Sequence, residues 1–149
     1  MPKFAANLTY MFPELEPKCR FSAAAKAGFK AVEILRPYDL EKNEVKALLN
    51  DNGLQFLLLN TRGGNPDKNE RGLGALPGRE ADFRQTFDQA LDYVVALGGR
   101  FIHVMAGTVP EDIASEACED CFVENLKVVA PVAEAEGVTL LLEPLNTQD

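Results

Sequence analysis

The run Gln55-Phe56-Leu57-Leu58-Leu59-Asn60 holds four consecutive large apolar residues, and Thr139-Leu140-Leu141-Leu142-Glu143 repeats the pattern far along the chain. A strand with one wet face alternates apolar and polar residues. A strand this uniformly apolar has to be covered on both faces, which is the situation of a parallel sheet under helices. Three further short runs have the same character, at residues 4–8, 31–35 and 101–105.

Helical segments separate these runs. Residues 14–28 read as a helix because Ala23, Ala24, Ala25 and Ala27 favour it, with Gly28 placed to stop it. Asp39 is a candidate cap for a second helix running to about Asn50, with Val45, Leu48 and Leu49 on one face and Gly53 beyond its end. Residues 81–97 carry Phe83, Phe87, Leu91, Val94 and Val95 near helical spacing and end at Gly98-Gly99; residues 115–136 form the last helix, with a bend expected near Pro131.

Strands alternating with helices define an α/β protein with a parallel sheet. A doubly wound sheet would show a glycine-rich turn after its first strand. Here the first strand leads into Thr9-Tyr10-Met11-Phe12-Pro13, which contains no glycine. Polar residues sit instead where several different strands end, at Asn7, Asn60 and Glu143, which is how a (β/α) TIM barrel builds its active site. A complete barrel needs eight strands in ~250 residues, whereas five strands and four helices are legible in these 149. The expectation is one incomplete TIM-barrel-type domain over residues 1–149, truncated after strand five. Its uncovered parallel edges make pairing with itself or another chain an alternative, so a homo-oligomer belongs among the expected partners.

The net charge of −8 argues against a nucleic-acid partner bound through a basic patch. No apolar stretch approaches the ~20 residues that span a bilayer, and the start Met1-Pro2-Lys3-Phe4 has no secretory pattern, so no membrane partner and a cytoplasmic location are expected. Cys19, Cys118 and Cys121 are an odd number and suit a reducing compartment. Cys118-x-x-Cys121 lies in an acidic helical run expected to raise its thiol pKa values, and with one His in the chain it lacks partners for zinc.

Glu143 is the residue with most chemical promise. It follows four strand residues and precedes Pro144, so it should stand at the barrel mouth, partly desolvated, able to ligate a cation or move a proton. Asn7 and Asn60 are candidates to hydrogen-bond a polyhydroxy substrate or to satisfy loop backbone. Glu33 is read as a structural hydrogen-bonding or ion-pairing group inside strand two, and His103 as a core imidazole in mid-strand. The loop at residues 61–78 is long enough for a lid, with glycines to supply mobility. Its cations Arg62, Arg71 and Arg79 either meet a substrate carboxylate or stand in solvent.

Phe4-Ala5-Ala6-Asn7-Leu8, Ala31-Val32-Glu33 with Arg36-Pro37-Tyr38, Leu59-Asn60-Thr61 and Leu142-Glu143-Pro144-Leu145-Asn146 together resemble hydroxypyruvate isomerases, as does the loop run from Glu70-Arg71-Gly72-Leu73-Gly74 through Ala75-Leu76-Pro77-Gly78-Arg79-Glu80. These enzymes are xylose-isomerase-like barrels, and the resemblance covers the whole chain as their N-terminal portion. It implies interconversion of hydroxypyruvate and 2-hydroxy-3-oxopropanoate (tartronate semialdehyde) through an enediolate, with two carboxylates and, where present, a divalent metal ion such as Mg or Mn. Glu143 matches the first of the family's two catalytic glutamates and is similarly expected to be a metal ligand; Asn7, Asn60 and Arg71 are the expected substrate contacts. The second glutamate belongs to later strands, so the isolated chain is expected to be inactive. The run Arg62-Gly63-Gly64-Asn65-Pro66-Asp67 departs from the family's Pro-Gly-Asp type sequence. A sugar or sugar-phosphate epimerase or isomerase of the same superfamily is the alternative reading.

Overall fold

The computed structural model describes residues 2–68 and 70–144. Its strands are β1 (Ala5–Asn7), β2 (Ala31–Glu33), β3 (Gln55–Phe56), β4 (Leu58–Asn60), β5 (Phe101–His103) and β6 (Thr139–Leu141), and every pairing between them is parallel. They form two three-stranded sheets in chain order, β1-β2-β3 and β4-β5-β6.

The apolar run expected to make one strand at residues 55–60 is divided at Leu57, and the division joins the two sheets. Leu57 donates its N–H to Val32 (2.9 Å), and its carbonyl accepts from Arg100 and Phe101 (3.1 and 3.0 Å). Beyond it the ladder resumes, with Ile34 donating to Leu58 and Asn60 to Leu35. Side chains alternate across a strand with period two. Phe56 pairs with Val32 and Leu59 with Ile102, and all four are buried, yet Phe56 and Leu59 are an odd number of residues apart. The irregularity at Leu57 therefore shifts the alternation by one, as a bulge does. Asn60 in consequence shares a row with His103.

Four helices cover one face: α1 (Cys19–Lys26), α2 (Lys42–Asp51), α3 (Glu80–Leu97) and α4 (Ser115–Ala135). Ala6, Val32, Leu59 and Ile102 meet Phe21 of α1, Val45 of α2, Phe83 and Phe87 of α3 and Val129 of α4 in one contiguous core. Full burial of such side chains stabilises by about 1.5–3 kcal/mol each. The opposite face, with Ala5, Asn7, Glu33, Leu58, Phe101 and His103, is only half-buried.

Several boundaries differ from the sequence expectation. Helix α1 starts at Cys19 rather than residue 14, because Pro17 lacks an N–H and disfavours helical geometry at Glu16; Cys19 and Arg20 instead close turns onto Glu16 and Pro17. Asp39 does not cap α2. A turn from Leu40 back to Pro37 takes up that residue, and Glu41 occupies the cap position without a side-chain hydrogen bond. Val95 stands 44% exposed on the outer side of α3, while Phe83, Phe87 and Val94 point inward. Helix α4 runs through Pro131. The last strand stops at Leu141, so Glu143 lies two residues beyond the pairing. Leu145 and Asn146 lie outside the described residues.

Candidate active site

Parallel strands bring their C-terminal ends to one side of a sheet. Asn7 and Glu33 face each other across β1 and β2, and Asn60, His103 and Leu141 form a row across β4, β5 and β6. Glu143 follows that row, and its Oε2 is 3.8 Å from His103 Nε2. His103 therefore ends a strand beside a carboxylate instead of lying in mid-strand within the core. A five-residue strand at 101–105 would have centred it; the ladder ends sooner because the Met105 N–H goes to the Thr61 hydroxyl in place of a strand carbonyl.

The electrostatics of this pair are asymmetric. Burial pushes the His103 imidazole below its usual pKa, and Glu143 opposes that only in part. The ring is consequently neutral at neutral pH, with one nitrogen able to donate to the carboxylate. Glu143 is 64% exposed, against 16% for His103. The expected partial desolvation of Glu143 is not found, because a residue two positions past the last strand stands clear of the sheet.

Asn7 and Asn60 occupy equivalent strand ends with opposite commitments. Asn7 Nδ2 donates to Glu33 Oε1 (2.8 Å) and its Oδ1 accepts from the Thr9 N–H (3.0 Å). This bears out the hydrogen-bonding reading of Glu33, although β2 ends at that residue where it was expected inside the strand, and it braces the loop after β1. Arg20 completes the brace by donating to the carbonyls of Leu15, Leu8 and Thr9. Asn60 is 8% exposed, and its Oδ1 is buried with no hydrogen-bond partner among the described residues. Its Nδ2 meets only the Met105 Sδ, at 3.8 Å.

Residues 72–75 of the loop are docked on the segment after β5. Gly72 bridges Ala106, Gly74 donates to Met105 (3.2 Å) and Ala75 to Ala106 (2.7 Å), and Asn125 of α4 holds the Gly74 carbonyl (2.8 Å). A Cβ at Gly72 would stand 2.4 Å from the Met105 carbonyl oxygen, and one at Gly74 would stand 2.8 Å from the Phe122 ring. These glycines serve close backbone approach, where mobility was expected. Leu73 and Leu76 of the loop are themselves buried in the core. Glu70 pairs with Arg79 and accepts from the Asn65 N–H (2.6 Å), which with the Arg79 charge holds its carboxyl below the usual range.

The three loop cations part ways accordingly. Arg62 stacks over Tyr38 and donates to Gln89, and Arg79 is held by Glu70 and Asp82. Arg71 is exposed, with no hydrogen bond or ion pair among the described residues, one position before the Gly72–Ala106 bridge.

Outside this end of the sheet, Cys118 is buried in α4 and Cys121 half-buried. The Cys121 thiol is pushed up first by burial and then by Glu80, 3.8 Å away on α3, so the raised pKa has a different source from the acidic run of its own helix. Among the described residues no three His, Cys, Asp or Glu side chains gather to hold a metal ion, and no helix is long and apolar enough to cross a membrane.

Known proteins are similar to this chain in sequence and in fold. The profile of the xylose isomerase-like TIM barrel family matches residues 21–149. A 2-oxo-tetronate isomerase of Cupriavidus necator is 50% identical over 149 residues, which are all of this chain and 57% of that protein. A hydroxypyruvate isomerase of Escherichia coli is 38% identical, over all of this chain and 58% of its own length. Among solved structures, an AP endonuclease of family 2 from Brucella melitensis superposes with a TM-score of 0.94 at 42% identity, covering 99% of this chain and 57% of that one. The chain thus spans a little over half the length of the relatives it matches.

Proposed function

This chain belongs to the xylose isomerase-like TIM barrel family and has the fold of a partial barrel of that type; from that premise we propose that it carries part of the active site of an isomerase acting on a small hydroxylated 2-oxo acid, with hydroxypyruvate as substrate. The observation that carries the reading is the meeting of Glu143 with His103 at the C-terminal ends of adjacent strands, where barrel enzymes do their chemistry.

The reaction moves one carbon-bound proton. A base takes it from the hydroxymethyl carbon of hydroxypyruvate, leaving an enediolate; a proton then returns at the former carbonyl carbon while the hydroxyl proton passes between the two oxygens. Glu143 is the proposed base for the first step. Neutral His103 steadies its carboxylate by donating a hydrogen bond once the two close from 3.8 Å. Asn60 and the uncommitted Arg71 are proposed contacts for substrate hydroxyl and carboxylate, and Asn7 contributes by shaping the loop beside them.

Glu143 has the oxygen donors that Mg or Mn takes, and it is the proposed contact for such an ion. The described residues alone do not make up a metal site, and no step above passes through a metal.

Deuterium exchange tests the assignment. With hydroxypyruvate in D2O, the chain should speed loss of the C3 proton signal above the buffer rate, and Glu143→Gln should return it to that rate. Equal rates with and without the wild-type chain would remove Glu143 from the role of base. The higher identity to the 2-oxo-tetronate isomerase than to the hydroxypyruvate isomerase favours a second reading, in which the longer acid is preferred; the same exchange measured on both acids separates the two.

A further inference from the structure

The Asn60 backbone is tied on both sides. Its N–H donates to Leu35 (3.0 Å), and its carbonyl accepts from the Tyr38 hydroxyl. Tyr38 is itself immobilised. It is 8% exposed, its ring meets Tyr93 edge-on at 5.2 Å, Arg62 lies 4.5 Å above it, and Tyr93 is anchored in turn to the Leu40 carbonyl. Burial drives the Tyr38 hydroxyl far above its ordinary pKa, so it remains a donor throughout the physiological range. What this framework leaves open is Asn60 Oδ1, a buried acceptor without a donor among the described residues. Leaving such an atom unpaired is costly.

An amide oxygen accepts hydrogen bonds only. The carboxylate and ketone of a 2-oxo acid have no hydrogen to give, so the only group of that substrate able to satisfy Oδ1 is a hydroxyl. Asn60 and His103 are in register on neighbouring strands, which sets the acceptor beside the imidazole that faces the proposed base, Glu143. The Asn60 Nδ2 touches the Met105 thioether, a flexible chain able to give way.

We propose that Tyr38 is a positioning residue that fixes Asn60 Oδ1 as the acceptor for a substrate hydroxyl, making the site selective for hydroxylated over deoxy 2-oxo acids. The inference rests on the isomerase reading above. Its test is titration of the full 149-residue chain with hydroxypyruvate and with pyruvate, which lacks the hydroxyl, followed by NMR. Wild-type chain should bind hydroxypyruvate about tenfold more tightly, the worth of one well-made hydrogen bond. Asn60→Leu and Tyr38→Phe should bring that ratio to about one while leaving the circular dichroism unchanged. Tyr38→Phe keeps the ring and decides the matter should Asn60→Leu fail to fold. A tenfold preference that survives in the folded variants, or equal binding of both acids by wild type, overturns the proposal and leaves the isomerase reading standing. Binding of neither acid overturns both.

Discussion

The Glu143 carboxylate lies 3.8 Å from the His103 imidazole, although the two residues reach the site from different strand ends and differ fourfold in exposure. The separation is longer than a direct hydrogen bond, so a small closure or one bridging water completes the contact. Replacing His103 by Gln should lower the Glu143-dependent deuterium exchange on the order of tenfold, the worth of one positioning hydrogen bond. The check is the exchange rate of the two chains under the same conditions.

Isomerisation needs proton delivery as well as removal. The chain incubated with hydroxypyruvate should therefore yield no measurable 2-hydroxy-3-oxopropanoate, even where exchange is accelerated. Product detected by NMR in proportion to protein concentration would contradict the two-carboxylate mechanism.

Docking of the loop depends on Gly72. Its φ of 145°, and the 2.4 Å that would separate a Cβ there from the Met105 carbonyl oxygen, leave no room for a side chain. Gly72→Ala should destabilise by about 2–4 kcal/mol and open residues 61–78 to proteolysis. Gly78 also has positive φ but meets nothing within 4 Å, so Gly78→Ala should cost about 1 kcal/mol. Urea denaturation and limited proteolysis of the two variants make the comparison.

Loop stability should also follow pH. Glu70 is held below its ordinary carboxylate range by the Asn65 N–H and by Arg79. A folded-state pKa below the unfolded one gives stability that is fully present above the unfolded value, about 4.3 for Glu, and lost as pH falls through the folded value. Glu70→Gln should therefore melt below wild type at pH 7, and the gap should narrow as the pH falls below about 4. Thermal melts from pH 7 to pH 3 read this directly, and a gap that widens toward acid would refute it.

The core makes a simpler claim. Phe87 is fully buried and Val95, eight residues on along α3, is 44% exposed. Phe87→Ala should cost about 3–5 kcal/mol, and Val95→Ala about 0.5 kcal/mol or less, both measured by urea denaturation.

The strand–helix alternation was legible because parallel strands under helices have to be apolar, and that signal survives without any tertiary knowledge. Glu143 stood out because a charged residue at the end of an apolar run is rare in such a context. His103 did not, since the five-residue run at 101–105 gives no sign that pairing stops at its third member. The break at Leu57 was equally hidden. In Phe56-Leu57-Leu58-Leu59 every residue is apolar, so a phase shift changes nothing in the pattern while deciding that Asn60 aligns with His103. Tyr38 entered the sequence reading only as part of the Arg36-Pro37-Tyr38 run, and its contact left no mark there because its partner is a backbone carbonyl. The loop was misjudged for a related reason. Glycines that permit motion and glycines that permit contact are the same letter, and only Gly72 against Ala106 tells them apart.

That docking has a kinetic consequence. A segment sewn to its neighbour by backbone hydrogen bonds is a wall, and moving it means breaking several of them together. The Met105 thioether that touches the Asn60 amide nitrogen is a different kind of neighbour, since a side chain changes rotamer in picoseconds to nanoseconds without breaking a backbone hydrogen bond.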